Sequence, residues 1–250
     1  MKIDLNADMG ESFGLYKMGN DEAFMKFITS ANVACGFHAG DASVMRKTVA
    51  WAKKEGVQIG AHPGLPDLQG FGRREMNLTP DEVYEIVLYQ AGALKAFVEA
   101  AGMRLHHVKP HGSLYGMAHR REEIARAVCR AVKDLDPALY LYVMHKGVIG
   151  ELAAQMGIRC VFELYADLGY DAQGSLVITR VHEAHDSGET AARVIRMVRE
   201  GLVKALDGSD IPIFGTSVCV HSDTPGAVEI VQAVRKALEE ASCELASPAV

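Results

Sequence analysis

Ionisable side chains in this chain recur at one kind of place. Asn6 and Asp8 close a first short apolar run, His38 and Asp41 follow a second, His62 a third, and Lys109 and His111 a fourth. Later runs carry His145, then Glu163 and Asp167, then His221 and Asp223. A carboxylate or imidazole can take a proton from water and return one to a leaving group, and a buried lysine can balance charge developing on oxygen. Such a set suits a hydrolase or a lyase. Asp8, His38 and His62 could instead ligate a metal whose bound water attacks, as in a metal-dependent deacetylase or amidase, although no pair has the i, i+4 spacing of helical ligands.

Several of these residues also have a structural role available. Asp41 precedes the helical spacing Met45, Thr48, Val49, Ala52, and Thr224 precedes Pro225, so both suit helix caps. Glu163 lies inside its run, and is expected either to point into a mouth or to pair with Lys109. His145 reads as a hydrogen-bonded group at a helix start. His106, His107, His119, His182 and His185 lack the shared position and read as surface or packing residues.

Two glycine-rich segments suit a small ligand. HPGLPDLQGFGRR, from His62 to Arg74, is long for a loop of this kind; its glycines permit close backbone approach, and Arg73 and Arg74 offer donors to a carboxylate or phosphate. DMGESFGLYKMGN, from Asp8 to Asn20, has the make-up of a lid.

The elements that must position these residues follow from periodicity. Apolar runs predict seven strands, at Ile3–Asn6, Ala31–Cys35, Val57–Ala61, Leu105–Lys109, Tyr140–Met144, Cys160–Tyr165 and Ile213–Val220, alternating with helical stretches. Thr79 and Glu82 around Pro80 predict a capped helix whose stripe runs from Val83 to Ala101. A second stripe runs from Ala191 to Leu206 behind a Ser187 cap, and the tail after Glu239 is expected to fray. The pattern is that of one α/β barrel domain over residues 1–250, with its active face at the C-terminal ends of the strands.

Composition narrows the partners. A net charge of −6 gives no basic surface for nucleic acid, and the first residues, MKIDLNADMG, contain no apolar signal core. No apolar run reaches the roughly 18 residues needed to cross a bilayer, so no membrane partner is expected. Five cysteines without CxxC spacing fit reduced thiols in a cytoplasm. There is no GxxxxGK[ST], HExxH or GxSxG string, hence no familiar nucleotide loop, zincin helix or serine elbow. From the residues alone the alternatives are a barrel hydrolase or lyase and a non-catalytic sugar or amide binding module.

The strings DLNADMGE, SANVACGFHAGD, GAHPGLPDLQGFGRR, HVKPHGSLY and VCVHSDTPGAV, in order from Asp4 to Val228, resemble the successive motifs of the LamB/YcsF lactam utilisation family, described as the A subunit of 5-oxoprolinase. The resemblance implies a (βα)7 barrel similar to the glycoside hydrolase/deacetylase superfamily. It also implies cleavage of 5-oxoproline to L-glutamate coupled to hydrolysis of ATP, with Mg, together with partner subunits B and C. The ATP site would be shared with or located on those partners, and whether the chain holds a metal of its own is left open. For that reaction Asp8, His38, His62, Lys109, His111, His221 and Asp223 are the catalytic candidates, with Asp223 orienting His221. Asn6, Asp41, Arg73, Arg74, Glu163 and Asp167 are the substrate-binding candidates. Two positions depart from the family pattern: Ser222 stands where glycine is expected, and Leu168 where arginine is expected, which removes one anion contact.

Overall fold

The computed structural model describes residues 1–177 and 184–249, so His182 lies outside the described residues. Seven parallel strands close into a barrel: β1 (Lys2–Met9), β2 (Ser30–Ala34), β3 (Gln58–His62), β4 (Leu105–Val108), β5 (Tyr140–Val143), β6 (Arg159–Tyr165) and β7 (Ser217–Cys219). Neighbours in sequence are neighbours in space, and β7 closes the ring by pairing Asp4 with Ser217 and Asn6 with Cys219 on β1. Around it run α1 (Asp21–Phe24), α2 (Ala42–Glu55), α3 (Pro80–Ala100), α4 (Gly112–Arg120), α5 (Glu122–Leu135), α6 (Val148–Gln155), α7 (Ser187–Glu200) and α8 (Ala227–Glu240). None of the described helices is long and apolar enough to cross a membrane.

The capping box predicted for α3 forms, with Thr79 and Glu82 exchanging side-chain and backbone bonds behind Pro80. Asp41 caps α2 through Ser43 N and Val44 N. The stripe after residue 187 is shorter than its spacing suggests. Asp186, one residue earlier than Ser187, caps α7; Gly201, in a left-handed conformation, ends it; and Leu202–Lys204 then pairs antiparallel with Asp210–Pro212. The seventh run is shorter as well: the ribbon ends at Pro212, just before it, and only Ser217–Cys219 of the run joins the barrel. The tail does not fray: Glu244–Leu245 forms β8 against Lys2 and Ile3, and Pro248 O accepts from His106 Nε2.

The barrel interior departs most from expectation. Along β1 the side chains alternate, so Leu5, Ala7 and Met9 meet the helices while Asp4, Asn6 and Asp8 face the axis. Polar groups therefore fill the axis from the bottom rather than appearing only where strands emerge. In the lowest tier Asp4 accepts from Thr29, Ser30, Tyr142 and Ser217. Above it, Asn32 donates to Asn6 Oδ1, and His107 Nε2 lies 2.7 Å from Asn32 Oδ1. His107 is thus an interior packing residue, stacked on Tyr142, and Gly60 opposite must lack a side chain because a Cβ there would meet the imidazole at 2.1 Å. Each polar group has a partner, which is what makes a buried polar column tolerable.

Candidate active site

The top tier lies at the C-terminal mouth, where β1, β3, β4, β6 and β7 deliver Asp8, His62, Lys109, Glu163 and Cys219. The Lys109 ammonium sits 2.9 Å from Asp8 Oδ1, 3.1 Å from Glu163 Oε1 and 3.2 Å from Cys219 Sγ. Burial opposes its charge, but Asp8, Cys219 and Glu163 together raise its pKa well above the usual lysine value. Burial likewise opposes ionisation of Asp8, and is outweighed by His62 and Lys109, which hold that carboxyl well below its usual range. Glu163 both faces the mouth and pairs with Lys109, and its other oxygen accepts from Tyr115 and Tyr165.

Asp8 Oδ1 is filled by Lys109 and by Asn32 Nδ2 at 2.8 Å. Its Oδ2 faces His62 Nε2 at 3.3 Å and His221 Nε2 at 3.7 Å. His221 in turn is held by Asp167, which accepts from the ring Nδ1 at 2.8 Å and from the backbone N–H at 2.9 Å, with Thr224 Oγ1 adding a third bond. The orienting carboxylate is therefore Asp167; Asp223, expected in that role, pairs with Arg73 at 3.1 Å. The loop after β7 sets residue 223 beside Arg73, whereas the end of β6 lies directly beside His221. Burial disfavours the imidazolium, but Asp167 outweighs it and raises the pKa of His221.

Arg73 lies against Phe71 on the wall of a small cleft whose floor is Asp8, His62, Lys109, His111 and His221. Arg74 turns away to pair with Asp67, Asp41 is occupied by its cap and by Gly14 N, and Asn6 lies one tier below. His38 is in the cluster, stacked on His111 at 3.7 Å. The long loop is pressed onto this pair at Gly72, whose positive φ and missing Cβ are both required: a Cβ there would stand 2.8 Å from His111 Cδ2 and from His38 Cβ. Leu168 lines the cleft, and Ser222 Oγ donates to Asp8 O at 2.8 Å.

Glu11 was not among the sequence candidates, yet it is buried beside His38 and His111. Gly10, with φ of +70°, bends the chain so that Glu11 re-enters the mouth instead of continuing into the lid segment. Tyr115, Tyr165 and Cys219 are the other groups the spacing did not single out.

The family model described as LamB/YcsF matches residues 3–250. This chain belongs to the LamB/YcsF family. Among its relatives, a Pyrococcus furiosus protein named as the A subunit of 5-oxoprolinase is 52% identical over 242 residues, covering 96% of this chain and 95% of the relative. The LamB/YcsF fold is also seen in a crystal structure of a lactam utilization protein from Thermus thermophilus, 48% identical, with a TM-score of 0.92 over 99% of this chain and 100% of that one. At 11% identity and a TM-score of 0.50, over 99% and 90% of the two chains, the fold alone is shared with the catalytic domain of a peptidoglycan N-acetylglucosamine deacetylase from Eubacterium rectale.

Proposed function

We propose that this chain opens the lactam ring of 5-oxoproline to give L-glutamate, as the barrel component of a cytoplasmic, ATP-hydrolysing 5-oxoprolinase that works with subunits B and C. The observation that carries the reading is the convergence of Asp8, Lys109, Glu163 and the Asp167–His221 pair on the floor of one cleft, in a chain whose relatives are named as the A subunit of 5-oxoprolinase.

Each group has a task that its surroundings suit. Asp8 keeps Oδ1 on Lys109 and Asn32, which leaves Oδ2 to take a proton from the attacking water. His221, favoured as imidazolium by Asp167, gives a proton to the ring nitrogen as the C–N bond breaks. Passing the proton from Asp8 to His221 across 3.7 Å restores both groups. Arg73 on the wall is suited to the substrate carboxylate or to a phosphate, and Lys109 to the charge developing on the carbonyl oxygen. A lactam carbonyl resists water; phosphorylation of its oxygen by ATP with Mg²⁺ would release ADP and make it a good electrophile, so that water addition and C–N cleavage give a glutamyl phosphate, which a second water hydrolyses to L-glutamate and phosphate. Because the sequence has no P-loop, the nucleotide site is assigned to a partner or shared with one.

The test is glutamate release from 5-oxoproline with ATP and magnesium, by this chain alone and by the three subunits together. The mixture is expected to turn over and the lone chain is not. Equal turnover by the lone chain would overturn the division of labour, and a silent mixture would overturn the substrate.

A further inference from the structure

Next to the Asp8–Lys109 line lies a group of buried side chains that the mechanism leaves largely idle: Glu11, His38, His62 and His111. One ligand atom from each lies within 4.8 Å of all the others. His62 Nδ1 is 2.7 Å from Lys109 O, and His111 Nε2 is 2.8 Å from Phe71 O. Carbonyl oxygens only accept, so both rings carry a proton on the outward nitrogen. The inward nitrogens, His62 Nε2 and His111 Nδ1, then face each other across 2.9 Å. His62 Nε2 also lies 3.3 Å from Asp8 Oδ2, so a proton held among these groups is what an entering ion would displace. An imidazole whose outer N–H is fixed on a backbone carbonyl is the arrangement that orients metal-ligating histidines.

A second observation concerns Glu11 and His38. Glu11 Oε1 lies 3.5 Å from His38 Nε2 and 3.9 Å from His111 Nδ1. Among the described residues, that oxygen and both nitrogens of His38 are buried without a hydrogen-bond partner. A buried polar atom left unsatisfied keeps its full desolvation penalty. Coordination of a cation would satisfy these atoms together.

We propose that Glu11, His62 and His111 bind a divalent transition metal of the zinc kind, with His38 as the fourth ligand. The ring of His38 lies flat on His111, with 4° between their planes, so it must turn about its own axis to aim a nitrogen at an ion in the plane of His111. Imidazole nitrogen with one carboxylate oxygen is a donor set for zinc or cobalt(II), not for magnesium or calcium, which prefer oxygen throughout. The set differs from Asp8, His38 and His62, the ligands suggested by sequence position. An ion drawn to Asp8 would meet the Lys109 ammonium, and the same repulsion weighs against the nearby Asp8, Cys219 and His221 group. At this place the ion would border the cleft as a Lewis acid for a substrate oxygen.

The experiment reads metal uptake rather than turnover, so its failure leaves the lactam reading standing. The full chain, stripped with a chelator, is titrated with Co²⁺ and followed by absorption. One equivalent is expected to bind with the visible d–d bands of a tetrahedral site and without a thiolate charge-transfer band. Glu11→Gln and His111→Asn should each weaken uptake at least tenfold, and Zn²⁺ should raise the thermal midpoint of the unmutated chain. Absence of saturable uptake, a thiolate band pointing to Cys219, or uptake unchanged in both variants would overturn the proposal. Should either variant fail to fold, the unmutated protein decides the matter, because a midpoint indifferent to zinc also overturns it.

Discussion

Asp167→Asn separates the contribution of one charge from that of the surrounding shape. Burial opposes ionisation of Asp167, but the charge on His221 and the hydrogen bonds from His221 and Thr224 outweigh it and bring the carboxyl down from 3.8 to about 2. That difference, at roughly 1.4 kcal/mol per pH unit, corresponds to about 2 kcal/mol of folding stability. Because the folded-state pKa is the lower one, the stabilisation is complete above pH 3.8 and is lost as the pH falls toward 2. The asparagine variant is nearly isosteric but lacks the charge, so it should be less stable than the parent by about 2 kcal/mol at neutral pH, the gap closing in acid. Urea unfolding of both proteins from pH 7 downward measures it. In the reconstituted enzyme, the limb of the pH–rate profile that requires protonated His221 should move to lower pH. A gap equally large at pH 7 and at the acid end would refute the electrostatic reasoning, as would a pH–rate profile that does not move.

Lys109→Met leaves Asp8 and Glu163 buried without their shared counter-charge, and should cost about 3–5 kcal/mol as well as turnover; adding Asp8→Asn to it should recover part of the stability in thermal unfolding but none of the activity. Asp21, raised by burial to about 6, is favoured in its neutral form by the fold, so the parent should gain stability as the pH falls from about 6 to 3.8. Asp21→Asn should be more stable than the parent at pH 8 and lose that advantage below pH 4, as measured by denaturant midpoints at the two pH values.

The strands and the caps of α2 and α3 were legible because short apolar runs and capping residues are local signals, whereas Thr224, expected as a cap, gives its hydroxyl to Asp167 and Gly226 precedes α8 instead. Asp8, His62, Lys109 and His221 were legible as a group because a parallel barrel brings its strand ends together. The partner of His221 was not, since proximity in sequence favoured Asp223 whereas the closing of β6 against β7 brings up Asp167. Glu11 was hidden by its place in a glycine-rich segment; only the left-handed turn at Gly10 returns it to the mouth. The polar axis did have a signature, the alternation Asp4, Leu5, Asn6, Ala7, Asp8, but the expectation that barrel interiors are apolar concealed it. His107 and Gly60 sit on different strands, and no local pattern announces that one fills the space the other leaves.

The ring that β7 closes on β1 also has a meaning in time. Asp8 leaves the ribosome near the beginning of synthesis, its counter-charge Lys109 is 101 residues behind it, and Ser222, which holds its backbone oxygen, is 214 behind. At roughly 5–20 residues per second, the last of these contacts waits about 10–40 seconds after the first strand emerges. Completion of the cleft is thereby tied to completion of translation: an unfinished barrel lacks Cys219, His221 and the wall they close.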